Sequence, residues 1–180
     1  MSDPCLLALM RDVVSIRRPR VAQTGLGEVL TGVYELAATA VPCALQPRGA
    51  KAAETLVGRL EGATHACYLE PCDVQVGDLL TEAKVGDTLQ VAVVAGQTQV
   101  TVAVGLLQSG DRVEVGLGEC SELNSVVAVD GQQVTLGTAL RAAHSVAEPV
   151  TAVVVYEVLG VEDQAGAGHH LRLAVRRQEV

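Results

Sequence analysis

The stretch that most constrains this chain is its last, residues 156–177, YEVLGVEDQAGAGHHLRLAVRR. Two alternating runs, 156–161 and 170–175, flank a loop at 162–168 that holds two glycines and two acids. Leu171, Leu173 and Val175 alternate with His170, Arg172 and Ala174, the period-two pattern of a strand with one face buried. An antiparallel pair standing alone is barely stable in water. The pair therefore has to complete a sheet begun earlier in the chain. The same alternation sends the side chains of His169 and His170 to opposite faces, so the two cannot readily share one ion.

What that sheet is built from follows from the apolar residues available. The 180 residues include no Phe, no Trp and three Tyr, so the core has to come from Val, Leu and Ala. Abundant valine, 18 Gly and scattered turn signals predict an all-β chain of short strands. Residues 13–16, 33–36, 38–46 and 64–69 read as strands, with Pro42 marking an edge or a bulge. Asp3-Pro4 ahead of CLLALMRD predicts a short capped helix. The basic run at 17–20, broken by Pro19, reads as a solvated strand edge. The longest irregular segment of the first half is 47–62, where Arg48, Lys51 and Arg59 concentrate positive charge. Gly-Asp pairs at 77–78, 86–87 and 110–111 each predict a turn directly before a strand.

From Leu89 the pattern becomes a compact series. Runs at 89–94 and 99–104 are joined by a turn at 95–98, and 112–115 and 125–129 follow. Asp130-Gly131 then gives a hairpin turn into 133–136. Residues 138–144 predict one helical turn, and 149–155 a last strand running into Tyr156. Residues 84–153 thus read as a small β module inserted between residues 1–83 and 154–180, its ends entering and leaving close together.

The net charge of −8 is unevenly spread, with +2 on residues 1–60 and −10 on the remainder. That balance argues against a general nucleic-acid binder, which presents a basic face and stacking aromatics. Five cysteines, an odd number, follow no secretory leader, and no apolar run reaches membrane-spanning length. The expectation is a chain made in the cytoplasm with reduced thiols and no membrane partner. His65, Cys67 and Cys72 have the one spacing that could hold a metal, but the second ligand pair of a structural zinc site is missing. Ser121, Ser125, Asp130 and His144 supply the types for a nucleophile triad without an elbow motif. With no phosphate loop and no framed pair of catalytic carboxylates, the reading is a non-enzyme with no cofactor and no metal.

Set end to end, residues 12–83 and 154–177 carry an ordered set of marks. Cys43 and Pro47 close a Cys-x-x-x-Pro strand, His65 and Tyr68 share a later strand, and Gly77-Asp78 makes a turn. Tyr156, Val158 and Val161 then precede His169, His170, Leu171 and Leu173. In that order the marks resemble the head-closure proteins (stopper, or head–tail joining proteins) of long-tailed bacteriophages. The resemblance implies a small β-barrel that assembles into a homo-oligomeric ring of about six or twelve copies. The ring would sit in the virion neck, with the portal or adaptor above, the tail or tail terminator below, and packaged DNA in its channel. It implies that segment 47–62 either projects into the channel, with Arg48, Lys51 and Arg59 near phosphates, or contacts a neighbouring subunit. Arg17, Arg18, Arg20, His169 and His170 become candidate subunit or partner contacts. The 84–153 insertion resembles a β module scattered through phage structural proteins. Its marks are Gly110-Asp111, Val113, Val115, Gly116, the runs 126–129 and 134–136, His144, and Glu148-Pro149-Val150. The alternatives are another neck or tail module, such as a tail terminator or adaptor, and a thiol- or zinc-dependent hydrolase using His65, Cys67 and Cys72.

Overall fold

The computed structural model describes residues 10–24, 27–47, 62–163 and 170–179. Ten strands account for most of them: β1 Asp12–Thr24, β2 Gly27–Pro47, β3 His65–Leu69, β4 Leu79–Thr88, β5 Gln99–Thr101, β6 Arg112–Val115, β7 Glu122–Asp130, β8 Gln133–Leu136, β9 Pro149–Asp163 and β10 Leu171–Arg177. The described residues contain no α-helix; a single 3-10 turn spans Gly118–Cys120. The chain is all-β, built on a large antiparallel sheet. Its contacts divide it into two compact units. The first lies within Met1–Val33, Ala37–Glu82 and Val155–Glu179, and the second within Tyr34–Leu36 and Ala83–Val154.

In the first unit the strands neighbour one another in the order β10-β3-β2-β1-β4-β9, and β10 also pairs with β9. The terminal ribbon thus shares a sheet with residues near His65, since Leu173 lies opposite Cys67 in β3 and opposite Val161 in β9. Alternation fixes which side chains face inward. Val14 and Ile16 of β1, Cys43 of β2, Cys67 and Leu69 of β3, Leu80 of β4, Val158 of β9, and Leu173 and Val175 of β10 are all buried. Full burial of a branched aliphatic side chain contributes about 1.5–3 kcal/mol, so a core without Phe or Trp is adequate here.

The strands are longer than the sequence pattern suggests. Residues 33–36 and 38–46, expected as two strands, belong to the single strand β2. Positive φ at Gly32 and Ala40 deforms it without ending it. β1 is not the edge strand expected from the basic run at 17–20, for it lies between β2 and β4. Its register with β4 covers Val14 to Arg17, so Pro19 falls past the last paired residue and owes β4 no hydrogen bond.

The second unit packs Leu89, Val93, Val100, Val102, Leu107, Val113, Val115, Val126, Val134, Leu136, Leu140, Val150 and Ala152 into one aliphatic core. β7 and β8 form the hairpin expected at Asp130-Gly131, with Asp130 opposite Gln133 and Gly131 at φ 60°. Three local expectations fail. Gly86-Asp87 is no turn but lies inside β4. Residues 89–94 form no strand and pair only through the bridges of Leu89 with Val102 and Val93 with His144. Residues 138–144 make no helical turn, because Leu140 and His144 bond their N–H groups to Gln97 and Val93 of another segment. Bonds across the unit win over the weak local helix preference.

Candidate functional site

Of the predicted contact residues, the described ones, Arg17, Arg18, Arg20 and His170, take separate roles. Arg48, Lys51, Arg59 and His169 lie outside the described residues. Of the basic run, Arg17 is wholly buried opposite Leu79, which corrects the reading of this run as solvated. Arg20 is exposed, and its carbonyl accepts a hydrogen bond from Thr31 Oγ1 at 2.9 Å. His170 is half-buried and its ring tilts against Tyr68 with centroids 6.4 Å apart. Arg172, directly across from Tyr68 in the ladder, places its guanidinium 5.7 Å from the same ring centroid. Tyr68, His170 and Arg172 therefore make a contiguous aromatic and basic stripe on β3 and the start of β10.

Arg18 has a different task. Its Nε donates to Asp78 Oδ1 at 3.1 Å and its Nη2 to Asp78 Oδ2 at 3.0 Å, a two-pronged pair. Nη1 donates to Asp73 Oδ2 at 2.9 Å, and Nη2 also donates to the Asp73 carbonyl at 3.0 Å. Asp78 itself is buried at the turn that the Gly-Asp pair predicts. Gly77 sits there at φ 91°, and Asp78 Oδ2 accepts the Gln75 N–H at 2.9 Å. The Asp78 carboxylate, then that of Asp73, raises the Arg18 proton affinity, and Arg18 in return holds the Asp73 carboxyl below its ordinary range. Arg18 is thus a strut that ties β1 to the turn before β4.

His65, Cys67 and Cys72 do not assemble a ligand set. Cys67 is buried on the inward face, where hydrogen bonding with Cys43 and then burial push its thiol far above the usual range. Cys72 is half-buried, and burial raises it too. His65 bonds Thr64 Oγ1 through Nδ1 at 2.9 Å and meets Tyr156 edge-on at 5.1 Å. Burial, then the Arg177 charge, lowers the proton affinity of its ring. Among the described residues no three His, Cys, Asp or Glu side chains are placed to hold a metal ion. Tyr156, one of the marks read from the sequence, has a partner that the sequence did not point to: its hydroxyl donates to Glu82 Oε2 at 3.2 Å. Burial, then the Glu82 charge, pushes the Tyr156 phenol up to about 12.

In the second unit the residues considered for a triad do other work. Ser121 Oγ donates to the Gly118 carbonyl, and Asp130 borders the hairpin turn. His144 is buried with Nδ1 2.9 Å from Glu148 Oε2 and Nε2 3.3 Å from Glu122 Oε1, so neither ring nitrogen is left for a serine. Glu122 also accepts from the Ala142 N–H at 2.7 Å, the Arg141 N–H at 2.8 Å and Arg141 Nε at 3.0 Å. Asp87, misread as part of a turn, accepts the N–H groups of Thr88, Val104, Gly105 and Leu106. Burial pushes the Asp87 carboxyl up, but these four donors together hold it below its ordinary value. The sequence reading did not single out Glu122, whose partners lie 19 to 22 residues further along the chain.

No family model matches the chain, and no curated protein matches it.

Proposed function

We propose that this chain is a structural ring protein of a bacteriophage neck. In this reading β10, β3, β2, β1, β4 and β9 close into a small barrel of head-closure type, and residues 84–153 form an inserted module that begins within β4 and ends within β9. One observation carries the reading. Followed from β10 through β3, β2, β1, β4 and β9, the neighbour relations return to β10, the pattern expected of a closed barrel. The common inward set from Val14 to Val175 supports the same closure. The division of contacts at Glu82 and Val155 supports the insertion.

The mechanism is geometric rather than catalytic. Copies join into a ring of about six or twelve, using the Tyr68, His170 and Arg172 stripe together with Arg20. Tyrosine buries area with few rotors to freeze, and arginine adds a planar fork of donors, so both are common at contacts. The portal or adaptor lies on one side of the ring and the tail or tail terminator on the other. Arg48, Lys51 and Arg59 on the 47–62 segment meet the phosphates of packaged DNA, while the acidic remainder keeps the channel from gripping it.

The test adds the purified chain to DNA-filled heads that lack tails, and measures DNA release together with images of the neck. Retained DNA and a ring at the portal vertex are expected. Unchanged leakage with no density at the vertex would overturn the proposal, and binding to tails alone would assign the chain to the tail end.

A further inference from the structure

Two stretches of the second unit repeat one another's backbone. LQVAVVAGQ at 89–97 and LRAAHSVAE at 140–148 stand 51 residues apart, Leu89 matching Leu140 and Val93 matching His144. They bond to each other about a local twofold. Val93 N donates to His144 O and His144 N to Val93 O, both at 2.9 Å. Leu89 N to Glu148 O and Leu140 N to Gln97 O are also both 2.9 Å, and Ala147 N to Leu89 O and Gly96 N to Leu140 O are both 2.8 Å. Each stretch ends on the same turn, with φ of 89° at Gly96 and 67° at Ala147. In each, the fourth turn side chain accepts the N–H of the first: Gln97 Oε1 from Val94 at 2.9 Å, Glu148 Oε1 from Ser145 at 2.8 Å.

Val93 and Gln97 therefore do in the first stretch, without charge, what His144 and Glu148 do in the second. The backbone does not call for ionisable groups at these places. Yet the second stretch sets a fully buried imidazole between Glu148 and Glu122, with Arg141 on Glu122 as well. From the facing elements, β7 contributes Glu122. Gly116 after β6 and Val93 across the twofold bring no charge.

We propose that Glu122, His144 and Glu148 form an acid-sensitive latch that fastens residues 141–148 at neutral pH and frees them in acid, while Leu140 and the rest of the unit's core stay packed. The doubly protonated ring is the form that donates to both carboxylates. Once those carboxylates take up protons, His144 and Arg141 lose their counter-charges. A buried cation left without a counter-charge gains by moving out to solvent. The sign follows from the carboxyls. Burial pushes Glu122 up, but the Arg141 and Ala142 N–H groups, then the Arg141 guanidinium and His144, hold it below its ordinary value. The Ser145 N–H, then His144, lower Glu148. Groups lowered in the fold stabilise it above the ordinary glutamate range, and that contribution is lost as pH falls through their folded values.

The test is amide hydrogen exchange on the full chain from about pH 7 down to about pH 3, corrected for the intrinsic rate. Protection at Ala142, His144 and Ser145 is expected to fall about tenfold per pH unit for each proton taken up, while the Val113 and Val115 amides of β6 hold theirs. Glu122→Gln, His144→Val and Glu148→Gln combined copy the uncharged stretch, and this variant is expected to give a flat profile. Loss at 141–148 only in step with β6, or no loss at all, overturns the latch. So does an acid loss that persists in the triple variant. The comparison within the wild-type chain decides the matter even if that variant does not fold.

Discussion

Replacing Asp78 by Ala tests whether the Arg18 strut holds the first unit together. Asp78 has a side-chain exposure of 1 %, and Arg18 one of 31 %. Breaking a fully buried ion pair by removing one partner costs about 3–5 kcal/mol. Arg18 keeps Asp73 and reaches water, which trims the figure, while the Gln75 N–H also loses its acceptor. The expected loss is about 2–4 kcal/mol, reading the pair as partly buried. Asp73 is the internal control: its side chain is 76 % exposed, and solvent screens a pair of that kind almost completely. With a urea slope of about 2 kcal/mol per molar, Asp78→Ala should move the midpoint down by about 1–2 M, and Asp73→Ala by less than about 0.5 M. Tyr68 and Tyr156 lie in this unit, Tyr34 counts with the second, and the chain has no Trp, so two of the three tyrosine emitters follow its unfolding. Equal shifts for the two variants, or a shift for Asp78→Ala within about 0.25 M, would refute the argument from burial.

Three further outcomes follow from the geometry. A Cβ on Gly116 would stand 2.5 Å from His144 ring atoms at a φ of 89°, whereas one on Gly110 meets open space at φ 94°. Gly116→Ala should therefore cost about 2–4 kcal/mol and Gly110→Ala about 1–2 kcal/mol, and thermal melts that reverse this order would contradict the packing. Tyr156→Phe should remove the last step, near pH 12, of the tyrosine absorbance titration. Because the folded value is raised, the Tyr156 hydroxyl stabilises the fold below the ordinary phenol value and ceases to do so as pH rises through about 12; an unchanged last step would show that another tyrosine carries it. Native thiol labelling should modify exposed Cys120 quickly and leave Cys43 and Cys67 unreacted until the chain unfolds. Fast labelling of Cys67 would place it off the inward face.

The all-β character was legible because period-two alternation and Gly-based turns are written into neighbouring residues. Leu171, Leu173 and Val175 announce one buried face, and Gly77-Asp78 and Asp130-Gly131 announce turns, whatever the rest of the chain does. A turn signal is still only a preference. Gly86-Asp87 carries the same letters and lies within β4, because its carboxylate is taken up by the N–H groups of residues 104–106. For the candidate contacts, composition marked Arg17, Arg18 and Arg20 alike, and burial sorted them into an interior residue, a strut and an exposed cation. Charge state and hydrophobic period are properties of a residue and its chain neighbours, so the sequence alone determined strands, turns and an aliphatic core. Pairing partners and burial depend on groups tens of residues away. Only the tertiary structure therefore decided that β10 lies between β3 and β9, and that His144 stands between two glutamates.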